Sequence, residues 1–159
     1  MAVGGTTLNS TTPPPAQVGW SGSGGGQSSL VARPAYQSGL AISRTKRLVP
    51  DIAVDANTGA AIYDSQPDTT SGFTGGDLQV GGTSLAAPIS AGALASSLTS
   101  IGCTTGFGDI HPAIYTSANV THVTTGTNDN NRTIAFPGGG FTAGRGTTRS
   151  PASARRRGA

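Results

Sequence analysis

The stretch GGTSLAAPISAGALASSLTSIG, residues 81–102, decides how the rest of the chain is read. From Ser84 onward, apolar and small residues occupy the whole helical circumference, which predicts a buried helix starting at that Ser. Pro88 fits the first turn, where no backbone donor is needed, and Gly102 supplies a stop. A Ser at such a helix start has a chemical use. The free N–H groups and the positive end of the helix dipole favour negative charge, and the flanking Gly81 and Gly82 let another backbone approach. Ser84 also has a structural reading as the helix N-cap, a role that contributes about 1 kcal/mol.

Working outward, residues 72–83 are Gly-rich around the short run LQV and lead directly into this helix. RLVPDIAVDA, residues 47–56, is a β-branched run closed by Asn57, Thr58 and Gly59, and AAIYDS follows at once, so strand, turn and strand are expected. Residues 2–8 form a further strand candidate, and TTPPPAQ after them cannot join a sheet interior. In GWSGSGGGQSS, Gly24, Gly25 and Gly26 either make a flexible loop or admit another chain close to the backbone. A shorter second helix is expected to start near Pro112 in HPAIYTS, and after residue 124 periodicity is lost.

The composition suits close backbone packing, with 25 Gly among 159 residues and only eight aromatics. Five of the ten Lys and Arg lie at or beyond Arg145, so the net charge of +3 reports a tail and not a basic binding face. No specific nucleic-acid partner is expected. Cys103 is the single cysteine, which excludes an intrachain disulfide and reads as a small hydrophobe. No run approaches the roughly 18 apolar residues of a membrane span, so no membrane partner is expected either. MAVGGTTLNS lacks a basic region followed by an apolar one and is not a secretion signal; it reads as a strand end entering a loop.

Several of these strings together resemble the sedolisins, a family of subtilisin-like serine-carboxyl peptidases. Gly82-Thr83-Ser84-Leu85-Ala86-Ala87-Pro88 looks like the nucleophile segment that subtilisins and sedolisins share. In subtilisins the base is a His preceding the Ser, whereas His111 and His122 both follow Ser84. GGGQSSLVARPAYQ (24–37) and RLVPDIAVDANTGAAIYDS (47–65) resemble sedolisin segments, and AVGGTTL (2–8) and HPAIY (111–115) fall in that family's order. The resemblance covers residues 1 to about 130. It implies an α/β fold, the C-terminal half of a subtilisin-like domain with a mainly parallel sheet. It also implies acid-active endopeptidase chemistry on peptide or protein substrates, an extracellular setting and one bound calcium. Ser84 would be the nucleophile, with Gly24, Gly25, Gly26, Gly82 and Thr83 lining the substrate.

A Ser hydroxyl needs a neighbouring base, and sedolisins resemble one another in using a Glu oriented by an Asp, with another Asp near the oxyanion. A carboxylate can accept a proton at acidic pH, where a His would already be charged. This chain contains no Glu. Asp51 and Asp55 read as structural, beside a strand and in a turn. The family's calcium site draws two carboxylates from segments that read here as His122-Val123-Thr124-Thr125-Gly126 and Gly138-Gly139-Gly140-Phe141-Thr142. Both carboxylate positions differ, so calcium binding is expected to be weak or absent.

Residues 1–142 are thus expected to form a partial peptidase domain lacking its N-terminal half. Residues 143–159 read as a disordered Arg-rich tail, in keeping with an out-of-frame continuation. Three functional classes stay open: a peptidase fragment inactive alone, a half-enzyme completed by a separate upstream chain, and a non-catalytic binding module using the Gly-rich loop.

Overall fold

The computed structural model describes residues 1–9, 16–40, 42, 44–117, 120–129 and 140–143. The Arg-rich tail, Gly138 and most of the Pro-rich stretch lie outside the described residues.

The organising element is strand β1 (Val3–Leu8), whose Gly4, Gly5 and Thr6 are buried. It lies between β2 (Gln17–Gly19), antiparallel to it, and β5 (Ile52–Asp55), parallel to it from Val3↔Ile52 to Thr6↔Asp55. Its two glycines are required by close approach. A β-carbon at Gly4 would sit 2.6 Å from Pro50 Cγ, and one at Gly5 would sit 2.6 Å from Ala56 Cβ and 2.8 Å from Trp20 Cε3. Side chains from both flanking connections therefore pack directly on the β1 backbone.

Between β1 and β5 the chain makes β3 (Gly26–Ala32) and β4 (Lys46–Val49), an antiparallel pair, with a 3₁₀ turn at Ala35–Gln37. After β5 comes the antiparallel hairpin of β6 (Ala60–Asp64) and β7 (Gly76–Val80). Helix α1 (Thr83–Ser100) packs on β1 and β5, and α2 (His111–Thr116) packs on the 3₁₀ turn.

The structure departs from the expected mainly parallel sheet. Among the described strands only β1 and β5 pair in parallel, and the other three pairings are antiparallel. The run at 47–56 divides at Pro50, which has no N–H to give a ladder, and Asp51 sends its own N–H to Ala2 O at 2.9 Å. Its two halves then join different sheets, and AAIYD pairs forward with β7 instead of back onto β5.

The helix expectation is corrected in two ways. Helix α1 begins at Thr83, one residue before Ser84, because Gly82 occupies the N-cap with φ 89°. Nor is the helix buried all round: only Ala86 and Ser90 are, while Ile89 and much of the rest of its surface are exposed. A helix apolar on every face needs neighbours on every side, and the described strands cover one.

The core is small and unusually polar. Leu48, Ala56 and Ala86 are its buried apolar residues, beside buried Thr6, Ser23, Gln37 and Ser90. Gln37 behaves as a length of strand. It donates to Leu48 O at 2.8 Å and accepts from Leu48 N at 2.9 Å, satisfying β4 where a backbone partner is missing.

Gly5→Ala should destabilise the fold by about 1–3 kcal/mol in urea unfolding, since the added methyl would overlap Ala56 Cβ and Trp20 Cε3. Gly24→Ala, at a position with nothing within 4 Å, should change it by less than about 0.5 kcal/mol.

Candidate active site

Strand β7 ends at Val80, and Gly81 and Gly82 turn the chain into α1. Gly82 N–H donates to Ala56 O at 2.7 Å, and its carbonyl accepts Leu85 N–H at 3.0 Å and Ala86 N–H at 3.3 Å. Its φ of 89° favours glycine, which explains why the turn is written with one. Because the cap is a glycine backbone, the N-cap reading of Ser84 does not hold. Ser84 stands at the second helical position, exposed, and its hydroxyl takes no hydrogen bond among the described residues. Thr83 beside it is half-buried.

The Gly-rich segment is placed at the entry to β3. Gly24 faces open space, Gly25 lies against the Asn128 side chain and Val49 O, and Gly26 is buried and pairs with Val49. No strand pairing or hydrogen bond among the described residues joins this segment to Gly82, Thr83 or Ser84. The two expected halves of a substrate cleft are therefore present as separate backbone features.

The second segment read as calcium-site positions pairs with the residues that directly follow the first. Thr127 bridges Thr142, Asn128 N–H donates to Phe141 O at 3.1 Å, and Phe141 N–H donates to Asn128 Oδ1 at 2.6 Å. His122 and Val123 lie in the first of these segments, Gly140 and Thr142 in the second. Gly140 packs against the Asp129 backbone. Among the described residues, no group of three His, Cys, Asp or Glu is placed to hold a metal ion.

Asp55 accepts Thr58 N–H at 3.2 Å, as the turn reading expects. Asp51 does far more than residue-by-residue reading foresees. Its side chain is fully buried and accepts Ala2 N–H at 2.7 Å, Arg47 Nη2 at 2.7 Å and the Tyr115 hydroxyl at 3.0 Å. His111 Nε2 lies 3.4 Å away, with its ring stacked on Tyr36 at 4.7 Å and its Nδ1 on Asp109 at 2.5 Å. Arg47 also donates to the Tyr36 hydroxyl. The hydrogen bond from His111 holds the exposed Asp109 carboxyl below its ordinary range. The signal for this cluster was in view, since Tyr36, Gln37, Arg47, Asp51, His111 and Tyr115 all belong to the family-like strings.

No protein-family model matches the chain. It is similar to sedolisin of Pseudomonas sp. (strain 101), with 33% identity over 164 residues covering 92% of this chain and 25% of that protein. It is also similar to xanthomonalisin of Xanthomonas sp. (strain T-22), at 45% identity over 74 residues, 45% of this chain and 8% of that one. Among solved structures it matches the Pseudomonas sedolisin, a serine-carboxyl proteinase complexed with two molecules of pseudo-iodotyrostatin. The TM-score is 0.69 at 31% identity over 91% of this chain and 40% of that one. The chain thus spans about a quarter of the length of the curated sedolisin it matches.

The Asp51 cluster leaves a pH signature. Burial, above all, and the neighbouring Asp51 carboxylate raise the Tyr115 phenol well above its ordinary value of 10.0, against the hydrogen bond from Gln37. The folded chain therefore holds this proton more tightly than the unfolded one, so its contribution is complete below about pH 10 and is lost as pH rises further. Thermal unfolding followed between pH 8 and 11 should show a fall in stability that Tyr115→Phe makes shallower. Asp51→Asn, which leaves the Arg47 charge unpaired, should cost about 3–5 kcal/mol at neutral pH.

Proposed function

The chain is related to the sedolisin family, and on that premise we propose that it carries the nucleophile segment of a serine-type endopeptidase, with Ser84 as the attacking residue. The observation that carries this is the placement of Ser84. It is exposed in the first turn of α1, behind a glycine cap, with a hydroxyl that takes no hydrogen bond among the described residues. A hydroxyl there lies beside free N–H groups and the positive helix end, which favour the oxyanion formed when it attacks a peptide carbonyl. Gly82 and Thr83 offer backbone for an extended peptide or protein substrate to lie along; of the Gly-rich segment only Gly24 is open for such a contact, since Gly25 is packed against Asn128 and Gly26 is buried against Val49.

Attack also requires a base to take the hydroxyl proton. The resemblance calls for a Glu, and none of the 159 residues is one. Asp51 is committed to Arg47, Tyr115 and Ala2, and Asp55 to its turn. These residues alone therefore hydrolyse peptides negligibly, and activity depends on a carboxylate supplied from outside them. The apolar circumference that α1 leaves exposed supports a second polypeptide half packing there. The same premise gives an extracellular setting.

Calcium fits this chain poorly. A hard cation takes six to eight oxygens, commonly with carboxylates among them. Imidazole at 122 and hydroxyl at 142 are weak substitutes where the family resemblance asks for acids. No catalytic step here is routed through the ion.

Two measurements test these readings. Fused behind the Glu-bearing portion of the Pseudomonas sedolisin domain, the chain should hydrolyse a denatured protein at acidic pH. Ser84→Ala should lower that rate by about a thousandfold or more, whereas the unfused chain shows none. Hydrolysis by the unfused chain that Ser84→Ala abolishes would contradict the external base. Melting temperature should also stay unchanged when calcium is chelated and then restored; a large calcium-dependent rise would contradict the poor fit.

A further inference from the structure

The charges of this chain are segregated along its length. Residues 1–50 contain no Asp or Glu and carry Arg33, Arg44, Lys46 and Arg47, while residues 51–129 contain all seven Asp and no Lys or Arg. The fold keeps the two groups on different sheets, with the cations around β3–β4 and Asp64 and Asp77 on β6–β7.

Each of these sheets also exposes large apolar side chains. On β3 the register runs from Gln27↔Leu48 directly to Ala32↔Lys46, so Ser28 to Val31 bulge out opposite Arg47 alone. Side chains satisfy part of the bulge's backbone. Ser28 Oγ accepts Leu30 N–H at 3.2 Å and Val31 N–H at 2.9 Å, and Lys46 Nζ donates to Leu30 O at 3.4 Å. Held this way, it presents Leu30 at 85% exposure and Val31 at 54%. Arg47 is neutralised by Asp51, but neither Arg44 nor Lys46 has a carboxylate partner among the described residues. The β6–β7 hairpin is the opposite case. Tyr63, 73% exposed, stands across from the exposed Asp77 on the same face of the hairpin, with no cation nearby in sequence.

We propose that these two surfaces pair between copies of the chain. The bulge of one copy sets Leu30 and Val31 against Tyr63 of a second, while Arg44 and Lys46 meet Asp77, which shares the Tyr63 face. Charge complementarity selects this occupant, because the partner surface needed by the cationic bulge, apolar and acidic on a free two-stranded sheet, is displayed by the same molecule. The surfaces differ, so the contact is head to tail, and each added copy leaves one of each exposed. Both patches are small beside the roughly 800 Å² per partner of a stable interface, so the association is weak and salt-sensitive. It does not depend on the peptidase reading.

Sedimentation velocity over a concentration series tests this. The average mass should rise with concentration in dilute salt and return to the 15.7 kDa monomer in about 0.5 M salt. Lys46→Glu and Asp77→Lys should each weaken association about tenfold or more, with melting temperatures unchanged. Mixed together, they should associate again, since each variant supplies the charge that the other lacks. Leu30→Ser with Val31→Ser should also remain monomeric. The proposal is overturned by a chain monomeric at all concentrations, by variants that fail to pair on mixing, or by association that survives both reversals or strengthens with salt, as contact through α1 would.

Discussion

A single carboxylate holds this fold in register. Asp51 is fully buried, and an unpaired charge in that position would cost several kcal/mol. It is tolerated because four separate parts of the chain converge on it: Ala2 ahead of β1, Arg47 on β4, and His111 and Tyr115 on α2, with Tyr36 of the 3₁₀ turn between them. Asp51 also sits where the chain leaves the β3–β4 sheet for β5. The same residue thus positions β5 beside β1 and docks α2 on the 3₁₀ turn. In a core with three buried apolar residues among those described, polar convergence of this kind does work that a larger protein assigns to hydrophobic packing.

The candidate site hangs from that frame through Ala56. The residue ends the β5 segment, packs on Gly5, and accepts the Gly82 N–H that begins the turn into α1. The position of Ser84 is therefore set by the β1–β5 pairing. This separates two properties that a nucleophile needs. Placement at a helix start is local and is encoded in a few residues. Activation requires a base from another part of the structure, and no local sequence can supply it.

The sequence made some of this legible and hid the rest for physical reasons. Helix α1 was readable because its length and Gly-Thr-Ser start are local, and α2 because Pro112 marks a first turn. Its burial was not, since an all-apolar circumference states a need for neighbours without saying which residues meet it. The parallel expectation came from the family resemblance, whereas the described strands take the antiparallel pairings that Pro50 and the β6–β7 turn impose. Gln37 and Asp51 were missed as a pair of hubs because their partners lie up to 78 and 64 residues away, a distance at which periodicity carries no information.

The central claim is that Ser84 occupies a nucleophile position whose base lies outside these residues. The most direct measurement is carbon NMR of a peptide aldehyde labelled at its carbonyl, added to the chain alone and to the chain fused behind a Glu-bearing sedolisin portion. The account predicts only the free aldehyde and its hydrate with the chain alone, and a separate hemiacetal signal with the fusion, lost on Ser84→Ala. A hemiacetal that survives that substitution, or one formed by the chain alone, would contradict it.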